Sequence, residues 1–173
     1  GMKDTSSQPN DSHPRMVTNY RRADGSLQKQ SNPAFMNGTY FSGGGGLMST
    51  AEDYFQFAQM LLNGGQLNGA RLLSPRAVEL MRSAFVPDTT QGRPRGEGFG
   101  LSVRVVTDPV ARNTFLWEGS FGWSGAYGTH FWVSPRENLL AILMIQTPAQ
   151  GISGDFENLV MQSVVGGAPA AGP

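Results

Sequence analysis

The sequence of 173 residues contains no cysteine. Disulfides, thiolate nucleophiles and zinc–thiolate sites are therefore excluded, although the missing cysteines do not identify a cellular compartment. An excess of charge is missing as well, because 13 basic and 13 acidic residues cancel and charged residues make up only 15% of the chain. Without a basic field to attract phosphates, we expect no nucleic acid partner.

Long hydrophobic runs are also absent from the sequence. No apolar stretch approaches the roughly 20 residues that cross a bilayer, and the N-terminal GMKDTSSQPNDSHPR has no hydrophobic signal region. We therefore expect no membrane association and no export signal in this sequence, and the localisation stays unknown.

The residues that are present favour one globular domain. Hydrophobic residues make up 39% of the chain, and 23 glycines with 11 prolines favour turns and strands over a helical bundle. We expect residues 1–47 to form an extended, loop-rich segment, residues 48–166 to form an α+β domain, and residues 167–173 to be a disordered tail.

Capping signals predict two helices in the first half of the chain. Ser49 and the glutamate three residues later have the spacing of a capping box, and Gly64 supplies a stop for the helix that follows. Ser74 and Pro75 predict the N-cap and first turn of a shorter helix. Apolar residues at helical spacing after Ser153 predict a third helix near the C-terminus.

Strand-like runs occupy the region between the second and third helices. They cover residues 99–106, 114–118, 125–133 and 138–146, and short links favour antiparallel pairing of neighbours. The sequence therefore predicts an α+β fold, with an antiparallel sheet of three to four strands, helices before it and a C-terminal helix covering one face.

The most informative segment for function covers residues 115–146, FLWEGSFGWSGAYGTHFWVSPRENLLAILMIQ. Glycines frame Trp123 and Ser124 at a strand entrance, where a missing side chain lets the backbone approach a ligand closely. An unpaired strand N–H can face a developing oxyanion there, with an aromatic ring as the pocket wall. The structural alternative is a bulged hairpin with a tryptophan that fills the core.

Four segments together resemble the C-terminal part of the serine β-lactamase-like family, which groups class C β-lactamases, DD-peptidases and related esterases. They are GMKDT, YFSGGGGLMSTAEDYFQFAQMLLNGG, LLSP and GWSGAYGTHFWVSPRENLLAILMIQ. The resemblance implies a partial β-lactamase/transpeptidase-like fold for residues 48–166 and a serine hydrolase without cofactor or metal. Its mechanism would use Ser-x-x-Lys, Tyr-x-Asn and Lys/His/Trp-x-Gly motifs.

The third of these motifs is present as Trp123, Ser124 and Gly125. The resemblance implies that these three residues and Tyr127 line the substrate site, and that Ala126 donates its backbone N–H to the oxyanion. Tryptophan in the first position is closer to the esterase branches of the family than to class C β-lactamases.

The nucleophile and base motifs are missing. The one literal Ser-x-x-Lys, Ser26 to Lys29, follows a turn signature amid polar residues, and we interpret it as a coincidence. No tyrosine is followed by asparagine two positions later. We therefore expect a C-terminal fragment of a serine hydrolase that is inactive alone.

The expected partners follow from the same interpretation. They are a small ester, lactam or peptidoglycan-like ligand, and either further copies of the chain or an N-terminal half of the same fold, since an open sheet edge favours association. The alternatives are a non-catalytic module that binds a small ligand and a structural partner of a separately encoded N-terminal half.

Histidine and tryptophan raise two further hypotheses. A triad of Ser124, His130 and Glu118 is conceivable, but if residues 125–133 form one strand, Ser124 and His130 lie about 20 Å apart. His130 is then expected to be a packed or surface residue. The three tryptophans would suit a carbohydrate platform, although core packing accounts more simply for Trp117 and Trp132.

Overall fold

The computed structural model describes residues 1–7, 14–31, 42–147 and 149–165. The centre of the described fold is a five-stranded antiparallel sheet whose spatial order follows the chain order. Helices lie on both faces of this sheet, so the predicted α+β fold is confirmed. The predicted tail, residues 167–173, lies outside the described residues.

Nine strands and four helices make up the described fold. Two hairpins stand apart from the large sheet: β1 (Tyr20–Ala23) with β2 (Ser26–Lys29), and β3 (Gln66–Leu67) with β4 (Ala70–Arg71). The sheet itself contains β5 (Glu97–Phe99), β6 (Arg104–Val106), β7 (Phe121–Ser124), β8 (His130–Ser134) and β9 (Leu139–Leu143). The helices are α1 (Ala51–Leu62), α2 (Pro75–Met81), α3 (Pro109–Arg112) and α4 (Ile152–Ser163).

The helices begin close to where the capping signals predict. Thr50, one residue after the predicted cap, accepts a hydrogen bond of 3.2 Å from the backbone N–H of Asp53 at the start of α1. Ser74 caps α2 as predicted and accepts from the N–H of Ala77. These caps satisfy N–H groups that have no partner within the helix.

The sheet has five strands rather than the three to four expected, because one predicted strand is a hairpin and one strand was not predicted. The run 99–106 is interrupted by Ser102 at φ 69°, so β5 turns back into β6. The run 125–133 contains only β8, which pairs with the new strand β7 across a glycine-rich turn. The run 114–118 forms no strand.

Alternation along the strands divides the core into two layers. Val105 and Phe131 face α1, whereas their neighbours Val106 and Trp132 face the opposite side, where α4 packs. Gly122 keeps β7 and β8 close, because a Cβ at this position would collide with the carbonyl oxygen of Phe131. This close pairing with β8 fixes the end of β7 between the two core layers.

Candidate functional site

The exposed end of β7 carries the motif that the sequence singles out. Trp123 is 45% exposed, so it does not fill the core. Its ring meets Phe99 edge to face with centroids 5.1 Å apart, and the guanidinium of Arg93 lies 4.6 Å from the Phe99 centroid. The arrangement presents an aromatic wall supported from behind by a second ring and a cation.

The other two tryptophans differ from each other. Trp132 is fully buried in the layer under α4, as core packing requires. Trp117 is 36% exposed and is covered by the guanidinium of Arg136, 3.5 Å from its ring centroid. The expected core role therefore holds for Trp132 and is wrong for Trp117.

The turn after β7 brings the predicted site residues together. Gly125 donates a hydrogen bond of 2.7 Å to the carbonyl of Thr129, and a Cβ on Gly125 would collide with the Thr129 hydroxyl. Ala126 is exposed at the tip, and its N–H donates no hydrogen bond within the described ranges. Tyr127 is half-buried beside it, and Gly128 completes the turn at φ 100°.

The turn also overturns the expected separation of Ser124 and His130. The two residues are directly paired across β7 and β8, and Oγ of Ser124 lies 2.9 Å from Nδ1 of His130. The estimate of about 20 Å was wrong because it treated residues 125–133 as one extended strand, whereas the chain reverses within them. The glycines at both ends of the turn were the signal for this reversal.

The carboxylate that meets His130 is Glu157 of α4, not Glu118. Nε2 of His130 lies 2.9 Å from Oε1 of Glu157, whose side chain is only 2% exposed. Arg104 of β6 contacts the same carboxylate directly. Sequence reasoning missed Glu157 because contact between α4 and β8 is a tertiary feature without a local signal.

A second carboxylate continues this buried ion cluster. Arg104 reaches Oε2 of Glu97 at 3.3 Å, and Nε of Arg112 reaches the same oxygen at 2.9 Å. The cluster thus joins β5, β6, β8, α3 and α4 underneath the exposed end of β7. Buried charges need such mutual compensation, because an isolated one loses its hydration.

The electrostatics of the cluster keep His130 neutral. Burial, followed by the positive charge of Arg104, lowers the pKa of His130 to about 4. A histidine with this pKa is a poor general base near neutral pH. Ser124, His130 and Glu157 therefore have the connectivity of a triad without its chemistry.

The literal Ser-x-x-Lys segment has the wrong structure for catalysis. Ser26 to Lys29 form the exposed strand β2, and Oγ of Ser26 donates to the carbonyl of Ala23 in its own turn. Residues three apart in a strand point to opposite faces, so the two side chains do not meet as nucleophile and base. The structure agrees with the interpretation of this match as a coincidence.

The described residues contain neither a metal-binding cluster nor a membrane-spanning helix. Among them, no group of three or more histidine, aspartate or glutamate side chains is placed to hold a metal ion. Within the same ranges, no helix has the length and hydrophobicity needed to span a bilayer.

Solved structures show the fold. The hydrolase EstCE1, described as having promiscuous acyltransferase activity, superposes with a TM-score of 0.79 at 22% identity over 95% of this chain and 47% of its own. The octameric penicillin-binding protein homologue from Pyrococcus abyssi gives a TM-score of 0.67 at 17% identity over 94% of this chain and 34% of its own.

Sequence comparison shows the family. Protein Rv1367c of Mycobacterium tuberculosis is 41% identical over 124 residues, and esterase EstB of Burkholderia gladioli is 28% identical over 135 residues. These matches cover 66% and 69% of this chain but only 30% and 29% of the relatives, so the chain spans less than a third of their length. The family model Beta-lactamase matches residues 1–164, and the chain therefore belongs to the β-lactamase family.

Proposed function

We propose that this chain forms the substrate-facing wall of a serine acyl-transfer site of the β-lactamase and esterase class. The observation that carries the proposal is the exposed turn after β7, where the N–H of Ala126 donates no hydrogen bond within the described segments. It lies in the same motif as the exposed ring of Trp123. A free N–H beside an aromatic wall is what a developing oxyanion and its acyl group require.

Each residue of the motif has a role in this proposal. Trp123 packs against the acyl or alcohol part of the ligand, and Ala126 donates its N–H to the carbonyl oxygen as negative charge develops there. Gly125 permits the tight turn that exposes this N–H, and Ser124 and Tyr127 border the ligand on either side.

The nucleophile and its base come from a segment that carries Ser-x-x-Lys, and this chain alone is inactive. The sequence supports this part, because its literal match lies in strand β2 and it holds no Tyr-x-Asn. The chain also spans less than a third of its curated relatives. The ligand would be a small ester, lactam or peptidoglycan-like molecule.

Exposed apolar surface supports association with an N-terminal half or with further copies. Strand β9 is an edge of the described sheet, and Phe55 and Met144 beside it are 43% and 38% exposed. Phe55 lines a groove with Leu140 and Ile142 between α1 and β9. Unpaired edges and apolar grooves favour pairing with another chain, and the octameric homologue is compatible with a homo-oligomer.

The test supplies the missing segment in trans. The chain is assayed with p-nitrophenyl butyrate and nitrocefin, alone and with the N-terminal part of Rv1367c that precedes the matched region. Turnover is expected only in the mixture. Ala126→Pro removes the donor N–H and lowers kcat by about 10²-fold or more, whereas Ala126→Ser keeps the N–H and most of the rate.

A non-catalytic binding module remains the second candidate, favoured by the exposed Trp123 and its support by Phe99. It predicts heat of binding with an ester or lactam in calorimetry on the isolated chain, without turnover in the mixture described above. A purely structural partner would give no heat.

A further inference from the structure

Basic side chains flank the end of the sheet where Trp123 and Ala126 lie. Ser124 at the end of β7 pairs with His130 at the start of β8, and His130 pairs with Leu143 at the end of β9. These three strand ends therefore lie side by side, and we call them the motif end of the sheet. Charges close to the motif end act on any ligand that packs against the exposed Trp123 ring.

Arg93 forms one flank of the motif end. Its guanidinium carbon lies 4.6 Å from the centroid of Phe99, and the ring centroids of Phe99 and Trp123 are 5.1 Å apart. The guanidinium is therefore within about 10 Å of the Trp123 ring, which is the Debye length at about 0.1 M salt. The backbone N–H of Arg93 donates to the carbonyl of Thr90, so the arginine belongs to a hydrogen-bonded turn.

The hairpin of β1 and β2 forms the other flank. Tyr20, the first residue of β1, donates its backbone N–H at 3.1 Å to the carbonyl of Gln146, just beyond the end of β9. The base of the hairpin is thereby fixed at the motif end, two strands or about 10 Å to the side of β7. The hairpin carries Arg21, Arg22 and Lys29, which are all exposed.

None of these four basic side chains forms an ion pair in the part of the chain that the structure describes. Glu97, the acidic residue closest to Arg93 in the sequence, is already paired with Arg104 and Arg112. Asp88, in the same loop as Arg93, accepts a hydrogen bond of 2.8 Å from a backbone N–H of that loop. The positive charges of the two flanks are therefore not compensated by the neighbouring carboxylates.

Other acidic residues offset these charges only in part. Asp24 lies in the turn of the hairpin, and the residues outside the described ranges contain one further acidic side chain, Asp11. Glu52 lies beside Leu140 and Ile142, along the middle of β9 and not at its end. A chain whose formal net charge is zero thus concentrates positive charge at the motif end. Such a field raises the local concentration of anions and lowers that of cations.

We propose that the motif end selects ligands that carry a negative charge next to the apolar group that packs on Trp123. Arg93 and the β1–β2 hairpin produce the selection through their field, without direct contact between every cation and the ligand. An anionic group is then favoured over a neutral amide, and the amide over an ammonium group of similar shape. This inference rests on the proposed function of the Trp123 wall as a ligand site.

Three ligands with the same phenyl ring and a similar chain test this order, namely phenylbutyrate, phenylbutyramide and phenylbutylamine. Their affinities for the 173-residue chain are measured by NMR titration at about pH 7, where the acid and the amine are both charged. We expect about 5-fold between successive ligands at about 20 mM salt, with the largest shifts at the amides of Phe99 and Trp123. At about 500 mM salt the Debye length is about 4 Å, and the differences should fall below about 2-fold.

Variants that remove charge test the two flanks separately. Arg93→Gln should lower the ratio of phenylbutyrate to phenylbutyramide binding by about 3-fold, whereas Arg93→Lys keeps the charge and the ratio. Changing the three basic residues of the hairpin to glutamine should lower the ratio by a similar factor. Arg136→Gln is the matched control, because Arg136 is exposed in the β8–β9 turn at the opposite end of the sheet, and it should retain the wild-type ratio.

The wild-type titrations decide the inference even if a variant does not fold. Equal binding of the three ligands, a preference that salt does not weaken, binding away from Trp123, or no binding at all would overturn it. Equal weakening of all three ligands by Arg93→Gln would show that Arg93 only supports the Phe99 ring, which also contradicts the inference. If the acyl-transfer mixture is inactive but the preference is observed, only the proposed catalytic role is contradicted.

Discussion

At the scale of single residues, the neighbours of the buried His130 determine the basicity of its imidazole ring. His130 has a serine on one nitrogen and a glutamate on the other, which is the connectivity of a hydrolytic triad. Its environment removes the basicity that such a triad needs, because burial and Arg104 both disfavour the imidazolium. The connectivity therefore resembles a triad, whereas the lowered pKa argues against a general-base role for His130.

The lowered pKa of His130 predicts a specific dependence of stability on pH. The pKa is about 4 in the folded chain and about 6.5 when unfolded, so the unfolded state binds the proton more readily. The free energy of unfolding should thus fall as pH decreases from about 6.5 to 4, by up to about 3 kcal/mol, and this contribution is fully present above pH 6.5. Urea unfolding between pH 4 and 7 measures it.

His130→Gln is the matched variant for this measurement, because glutamine does not titrate. Protonation of carboxylates elsewhere in the chain changes the free energy of unfolding equally in both proteins. Only the difference between the two pH profiles therefore reports on His130. Parallel profiles over this pH range would show that His130 titrates normally in the folded state.

At the scale of secondary-structure elements, α4 is attached to the sheet by both apolar and ionic contacts. Phe156 and Val160 pack on the layer that contains Trp132, while Glu157 between them enters the ion cluster. One turn of this helix therefore supplies both the apolar side chains that cover this layer of the core and the carboxylate that contacts His130. The end of β7 is thereby linked to α4, because Ser124 contacts His130 and His130 contacts Glu157.

Glu157→Ala should detach this helix. The substitution leaves Arg104 buried without one of its two carboxylates and removes one of the two side-chain partners of His130, so we expect the free energy of unfolding to fall by about 3 kcal/mol or more. Hydrogen exchange of the α4 amides should accelerate by the largest factor.

Leu159→Ala on the exposed side of the same helix is the control. Leu159 is 66% exposed, so its truncation should change the free energy of unfolding by less than about 0.5 kcal/mol. Equal losses in the two variants would mean that the ion cluster contributes nothing specific to the attachment of α4.

The elements differ in how well the sequence predicts them. The starts of α1 and α2 depend on Thr50 and Ser74, whose side chains bond to backbone groups three residues away, and local patterns find them to within a residue. The β7–β8 hairpin was missed because Gly125 and Gly128 interrupt a run of aromatic and β-branched residues that otherwise resembles one strand.

The residues of the candidate site also differ in how well the sequence predicts them. The motif from Trp123 to Ala126 is a local pattern that can be found from the sequence, and its residues are exposed at the end of a strand; their role at a substrate site stays a prediction. Glu157 lies 27 positions from His130, and Arg104 lies 26, so no local spacing indicates their contact. Ion pairs between residues so far apart in the sequence can be found only once the fold is known.

At the scale of the whole molecule, the described fold leaves one sheet edge and an apolar groove uncovered. Phe55, Leu140 and Ile142 meet at this groove beside β9. We expect the isolated chain to self-associate through this surface, because uncovered edges and apolar surface are protected by pairing. Multi-angle light scattering should give a mass that increases with protein concentration.

Phe55→Lys should shift this equilibrium towards the monomer, since a charge in the groove loses hydration on association. Leu72→Lys is a matched control, because Leu72 is 73% exposed in the β3–β4 region away from the groove. A wild-type chain that stays monomeric at high concentration would argue against an association surface at β9.

Complementation tests the central claim most directly, namely that this chain is one wall of an acyl-transfer site whose nucleophile comes from another segment. Hydrolysis of p-nitrophenyl butyrate is measured for the chain alone, for the chain with the N-terminal part of Rv1367c, and for the same mixture with Ala126→Pro. We expect no turnover alone, turnover in the mixture, and a loss of about 10²-fold or more with the proline variant. Turnover by the chain alone, or a mixture as active with Ala126→Pro as with the wild type, would contradict the claim.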